Sequence, residues 1–223
     1  MLIKTLALIF CAVLPAQAME FGIGAVGNIG IGFSRYEIDI RDDSANYVTD
    51  HLSSREPVFA LGPTVDFWFN DNFGLNIGLQ YGWYNYNYTY DYATSEAAIE
   101  QRWRFNNLIL PIGLKIAIPF WENRAFVGGG VIVFKQLSGE LSGICWGQDI
   151  EVQNIANEYL KTGVLPRFLV GAEFHPGNIG YQFLIDYYYG LNGVDERYDG
   201  SSTSTHHLIF NVGILYYLGK GKS

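Results

Sequence analysis

Five charged residues sit where charge is hardest to keep. Asp66, Lys115, Arg167, Glu173 and Asp186 each fall in a segment whose apolar residues occupy every second position, and each takes the opposite parity. Parity of that kind puts all five on one side of a folded sheet. Two bases among three acids on a shared face can pair into a salt-bridge network, or line a charge-selective pore or a proton relay. A charge in an apolar surround is expensive unless it is paired, and the narrow interior expected below favours pairing.

Nucleophilic chemistry has one foothold, His51-Leu52-Ser53. A Ser–His hydrogen bond needs a scaffold that holds both side chains, and this triplet falls in the middle of a long polar stretch where no strand is expected. His206 and His207 are adjacent on a predicted strand, so they point to opposite faces and cannot chelate one metal together. Cys145 has no local His partner and reads as a loop or rim residue. The expectation is therefore no catalytic, cofactor-binding or metal-binding residue, no cofactor, and no enzyme activity.

Residues 1–18, MLIKTLALIFCAVLPAQA, carry the marks of a cleaved secretory signal peptide. Lys4 supplies the positive start, Leu6 to Leu14 a short apolar core, and Ala16-Gln17-Ala18 the small-residue cleavage site. The apolar run is too short to span a bilayer. Removing Lys4 takes the net charge from −8 to −9, the wrong sign for a nucleic-acid binder. Cys11 leaves with the leader, so Cys145 has no partner for an internal disulfide. Residues 19–223 suit a single domain.

That mature part holds eight strand-like segments near 20–38, 57–69, 73–90, 101–118, 125–139, 163–174, 179–191 and 204–218. Connections alternate. Asn70 to Asn72, Pro119 to Arg124 and His175 to Asn178 are tight turns, whereas the stretches between the other segments are long and polar. In the fourth segment Leu108, Leu110, Ile112, Leu114, Ile116 and Ile118 share one parity, with Asn107, Pro111, Gly113 and Lys115 on the other. The segments near 20–38, 179–191 and 204–218 repeat this pattern, and their less greasy face is Gly, Asn and Gln with few charges.

A soluble sandwich would cover its outer face with Lys, Glu, Thr and Ser. Here the apolar face instead runs unbroken for the roughly 9–11 residues that a tilted strand needs to cross a bilayer, and aromatic residues gather at segment ends. Even strand number and alternating short and long connections complete the pattern of an antiparallel, up-and-down transmembrane β-barrel of eight strands, an all-β fold. In Leu75 to Tyr92 the aromatic parity changes after Trp83, from Tyr81 and Trp83 to Tyr84, Tyr86, Tyr88, Tyr90 and Tyr92. A β-bulge near Trp83–Tyr84 accounts for such a switch.

With these features the chain resembles the small eight-stranded outer-membrane β-barrels, such as the transmembrane domain of outer-membrane protein A and its porin-like relatives. Asn106 to Phe120, NNLILPIGLKIAIPF, is similar to a Leu-x-Pro-x-x-x-Lys strand of bacterial barrels of the porin family. The resemblance implies residence in the outer membrane, both termini and the short turns on the periplasmic side, and long loops outside. It also implies a terminal aromatic residue for assembly. Here Tyr216-Tyr217-Leu218 is followed by GKGKS.

Lipid A deacylases of this architecture carry a His-x-Ser pair near the other end of the chain, which His51 and Ser53 do not match in place. In the third long connection, Val152, Ile155, Ala156, Tyr159 and Leu160 follow helical spacing, with Asp149 as N-cap and Gly163 as stop, which predicts a short amphipathic helix. The expected partners are outer-membrane lipids including lipopolysaccharide, and an extracellular ligand held by loops 39–57 and 140–162. No nucleic-acid partner is expected, and the chain is read as a monomer. The function expected is that of an integral outer-membrane protein with a structural or surface-interaction role and a lumen plugged by polar side chains. A narrow channel or transport-accessory barrel stands second, and a lipid A-modifying hydrolase third.

Overall fold

The computed structural model describes residues 19–41, 47–91, 98–145, 148–157, 160–190 and 202–218. The expected leader and most of the second and fourth long connections lie outside them. Alternation of apolar and small polar residues produces the strands β1 (Glu20–Arg41), β2 (Tyr47–Trp68), β3 (Phe73–Gly78), β4 (Gln80–Asp91), β5 (Ala98–Phe120), β6 (Asn123–Cys145), β7 (Gln148–Asn154), β8 (Thr162–Phe174), β9 (Ile179–Gly190) and β10 (Ser202–Leu218).

β3 and β4 are two parts of one strand interrupted at Leu79. Their register against β2 is unbroken, from Phe67↔Leu75 through Thr64↔Gly78 to Val58↔Tyr84. Leu79 still donates its N–H to the Pro63 carbonyl at 2.9 Å. Pro63 on one side and Pro111 on the other have no N–H to give, so the ladder thins at this point without a change of phase. Counting β3 with β4, every strand of the wall pairs with its chain neighbours, and β1 closes onto β10 from Phe21↔Leu218 to Glu37↔Ser202. The product is a closed antiparallel ring of eight strands, with β7 outside it, paired only to β6. Closure removes the free edges that an open sheet would expose to lipid.

One parity faces outward all round. Ile23, Ile29, Ile31, Leu114, Ile116, Ile118, Phe168, Val170, Val212 and Ile214 are all exposed, which is what a lipid-facing band requires. Aromatic rings flank that band. Tyr81 and Trp83 meet edge to face at 5.0 Å at one end, and Phe120, Phe174 and Phe183 make a chain of edge contacts at the other. The opposite parity is buried, in three hydrophobic clusters and a polar set between them.

Three sequence expectations need correction. First, no bulge occurs at Trp83–Tyr84: β4 keeps its register with β5 from Gln80↔Ile109 to Asp91↔Ala98. Tyr84 and Tyr86 are inward residues of the same phase as Gln80, while Trp83 and Asn87 remain exposed. What changes beyond Trp83 is the solvent: the outer face meets water and becomes Asn, and the inner face takes the rings. The bulge lies on β6 instead, where Asn106↔Ser138 is followed by Asn107↔Gln136 and Leu137 is skipped.

Second, among the described residues no α-helix forms over Asp149–Gly163. Gln148–Asn154 is β7, hairpinned on β6, and Ile155 tucks against Tyr86, Trp103 and Phe105. A short apolar spacing fits two periods, and the neighbouring β6 edge decides between them. Third, His51-Leu52-Ser53 is not in a loop, because β2 extends down to Tyr47 and pairs His51 with Glu37. The stretches 39–57 and 140–162 are thus mostly hairpin strands that prolong the wall, and the loops between them are shorter than expected.

Three tight turns close one end, at 69–72, 121–122 and 175–178. Asn70 shapes the first by accepting the N–H groups of Asn72 and Phe73 at 2.9 and 2.8 Å. With these turns on the periplasmic side, protease added to intact cells should cleave within 42–46 or between Glu151 and Lys161, and spare Asn70 and Pro176. Cleavage at the tight turns alone would reverse the orientation.

Candidate functional site

Strand parity brings all five predicted charges inside. Asp66, Lys115, Arg167, Glu173 and Asp186 are buried on β2, β5, β8 and β9, and four of them make two direct ion pairs. Lys115 Nζ lies 2.5 Å from Asp66 Oδ2. Arg167 binds Asp186 through both arms, Nε to Oδ1 at 3.1 Å and Nη2 to Oδ2 at 2.8 Å. The fork matches the carboxylate's two oxygens, the strongest geometry available to such a pair. Glu173 goes to neither base. It accepts Tyr217 Oη at 2.7 Å and Gln182 Nε2 at 3.0 Å, and lies 2.5 Å from His175 Nε2.

Amides join these centres across the lumen. Gln182 Nε2 also reaches Asp66 Oδ2 at 2.7 Å. Asn76 donates to Asp66 Oδ1 at 2.6 Å and accepts from Arg167 Nη1 at 3.0 Å. Asn211 and Tyr188 both donate to Asp186 Oδ2, at 3.1 and 3.2 Å. The Asp66–Lys115 pair is thereby joined to the Arg167–Asp186 pair through one amide, and to Glu173 through another. Beyond them Asn28 Nδ2 meets Gln80 Oε1 at 2.7 Å.

Aromatic rings complete the surround. Lys115 Nζ lies 4.6 Å from the Phe126 ring centre and 5.4 Å from that of Trp68. Arg124 stacks over Trp68 at 4.5 Å and bonds Glu20 Oε2 at 2.8 Å. At the other end of the lumen His207 lies against Tyr84, ring centres 5.1 Å apart, with its Nε2 3.3 Å from Tyr86 Oη. As adjacent strand residues must, the two histidines diverge: His206 is only half-buried, and its Nδ1 is 2.6 Å from Tyr187 Oη. Tyr84, Tyr86, Phe105, Phe134, Leu165 and His207 line a cavity of about 40 Å³ there.

The glycines of the inner face now have a purpose. A Cβ on Gly22 or Gly180 would come within 2.7 Å of the Tyr217 ring, and one on Gly74 within 2.6 Å of Trp68. Gly113 likewise leaves space beside Arg167 and Leu169. Large inward groups lie over glycines of neighbouring strands, so the interior accommodates them.

Sequence reading found the five charges and the inward Asn and Gln, but missed Arg124 and His175. Both stand at the margins of tight turns in the sequence, where strand parity is not defined. The side chains of His51 and Ser53 are not described, so the structure brings neither to a site. Among the described residues, no group of three or more His, Cys, Asp and Glu side chains is placed to hold a metal ion.

The model of the outer membrane protein beta-barrel domain family matches residues 16–196. The chain belongs to that family. It is an outer-membrane β-barrel, as the closed ring and lipid-facing band require. A search of the curated proteins finds no match. Among solved structures it is similar to the outer membrane protein OprG of Pseudomonas aeruginosa, at 13% identity and a TM-score of 0.46 over 91% of this chain and 97% of that one. Another is Ail, the attachment invasion locus protein of Yersinia pestis, at 14% identity and 0.33 over 91% and 100%. A third is Neisserial surface protein A, at 12% identity and 0.35 over 87% and 96%.

Removing one member of a buried pair leaves the other charge without compensation, which costs about 3–5 kcal/mol. Lys115→Ala and Arg167→Ala should each lower barrel stability by that order, read from urea unfolding in detergent followed by tryptophan fluorescence. Wild-type unfolding midpoints in both variants would show that the pairs contribute nothing.

Proposed function

We infer that this outer-membrane barrel has a structural or surface-interaction role, is not catalytic, and carries a lumen occluded by its own polar side chains. One observation supports the reading above others: hydrogen bonds run from wall to wall through the lumen, Arg167 to Asn76 and Gln182 to Asp66, and hold the two ion pairs in one array. An interior of eight strands is about as wide as the side chains it contains, so groups bonded across it leave an ion no path of hydrated width. In this reading residues 1–18 direct export and are removed after Ala18, and residues 19–223 form the single barrel domain. Outer-membrane lipids surround the band, and the hairpins at the long-connection end present a surface to ligands outside the cell.

The test is single-channel recording in planar bilayers. The purified barrel should insert without steady conductance. Regular openings in the wild type that change in Asp186→Asn would establish the narrow channel instead. A hydrolase role has a separate test, because β2 runs through His51 and Ser53 and so supplies a scaffold that the sequence did not suggest. The refolded protein should release no fatty acid from lipid A, and Ser53→Ala should match it. Acyl release that disappears in Ser53→Ala would make the protein an enzyme.

A further inference from the structure

Every strand of the wall is paired along both sides, but β7 is paired along one. It occupies β6 from Glu140 to Cys145, whereas β8 begins only at Lys135. The chain that follows does not return along β7. Ile155 donates its N–H to the Gly139 carbonyl at 2.8 Å and turns inward onto Tyr86, Trp103 and Phe105, and Lys161 rejoins β6 by accepting the Gln136 N–H at 2.8 Å. Among the described residues, nothing hydrogen-bonds to the side of β7 that faces away from β6.

An open row of N–H and C=O groups is a template for another strand. Folds commonly blunt such an edge with Lys or Pro, and QDIEVQN holds neither. Val152 is 66% exposed on it. What the edge carries is acid, together with one extra residue between Ile150 and Gln153 that increases its twist.

Register fixes the face on which that acid stands, because paired residues of neighbouring strands share a face. Asp149 pairs with Ile144 and Asn154 with Glu140, and both β6 residues have the parity opposite to Leu141, which packs inward. Asp149, with Glu151 two residues on, is therefore on the outer face with Glu140. All three are exposed, and among the described residues none is in an ion pair. Arg102 is taken by Glu100 at 3.1 Å. Arg104, opposite Glu140 in register, is one base against three acids.

Charge decides which strand the edge accepts. The β7 of a second copy would set Asp149 and Glu151 against the same acids, and like charges on adjacent strands repel. A basic segment gains the backbone ladder and the attraction together. We propose that the free side of β7 takes a strand from another protein outside the cell, a short extended segment with Lys or Arg at every second residue. Its bases lie on the outer face against Asp149, Glu151 and Glu140. Backbone bonds supply affinity for any extended segment, and the acids select among segments. The proposal deepens the surface-interaction reading and rests on the long-connection end being outside.

The test uses the full-length barrel in phosphatidylcholine nanodiscs, titrated with a fluorescent peptide of alternating Lys and Val as long as β7. Binding is read by anisotropy, and its place by amide hydrogen exchange. The peptide should bind and slow exchange in Gln148–Asn154. The same peptide N-methylated throughout keeps its charges but has no N–H to pair, and should not bind. Asp149→Asn and Glu151→Gln, both at exposed positions, should each weaken binding about two- to fivefold. Asp149→Lys combined with Glu151→Lys should reverse the preference to a peptide of alternating Glu and Val. Equal binding of the N-methylated peptide, a bound peptide that leaves exchange in Gln148–Asn154 unchanged, or wild-type affinity in the charge-reversed variant would each overturn the proposal. So would exchange in β7 that slows with protein concentration in detergent without peptide, the mark of a second copy. Peptide binding is read on the purified barrel whatever its orientation in cells or its conductance, so its failure is distinct from a reversed topology or an open channel.

Discussion

The lumen of an eight-stranded ring is the constraint from which the rest follows. It is too narrow to hydrate charges freely and too polar in sequence to collapse as an oil-filled core. Each inward carboxylate must then find its partners among other side chains, most of them on other strands. Asp66 takes Lys115, Gln182 and Asn76; Asp186 takes Arg167, Asn211 and Tyr188; Glu173 takes Tyr217, Gln182 and His175. Charge that would be prohibitive alone is distributed over amides, hydroxyls and rings. Glycine on the facing strands is the complementary requirement. Tyr217 fits because Gly22 and Gly180 have no Cβ to meet it.

The outer face obeys a simpler rule. Within the band every outward position is apolar, and where the strand leaves the membrane the same parity turns polar, as from Trp83 to Asn87 on β4. The inner face makes the opposite change, from Gln80 and Asn76 to Tyr84 and Tyr86, because at that end rings pack on one another where ion pairs fill the middle of the lumen. Two surfaces of one strand thus exchange character at one height while the hydrogen-bond register stays fixed. The prolines at 63 and 111 reduce the ladder at Leu79 without disturbing that register.

This is also why the sequence was legible where it was. Period-two alternation is enforced by lipid on one side and a narrow lumen on the other, so strand number, closure and the five inward charges could be read from parity alone. Parity is blind where neither constraint acts. Arg124 and His175 flank tight turns, and their inward aim depends on how the turn leaves the sheet. Beyond the membrane, the spacing of Val152 and Ile155 suited a helix until the free edge of β6 offered a partner. The tyrosine switch was real as composition, but it was misassigned to the backbone because a change of environment and a change of phase look alike in one dimension. Strand extension through His51 was missed because polar residues above a bilayer pair as well as apolar ones within it.

The bonds across the lumen also order events in time. Lys115 and Arg167 meet their carboxylates on strands that come together along neighbouring parts of the wall, β2 with β5 and β8 with β9. Glu20 with Arg124 and Gln182 with Asp66 join residues 104 and 116 apart in the chain, and Tyr217 reaches its place between Gly22 and Gly180 only when β10 lies against β1. An unclosed sheet can therefore assemble local pairs but not the array that crosses the interior. Loop-closure entropy is spent before those distant contacts return anything, so they form late. The polar interior acts as a latch on the β1–β10 seam: it engages only in a barrel that has closed in the correct register, and it holds that barrel against reopening.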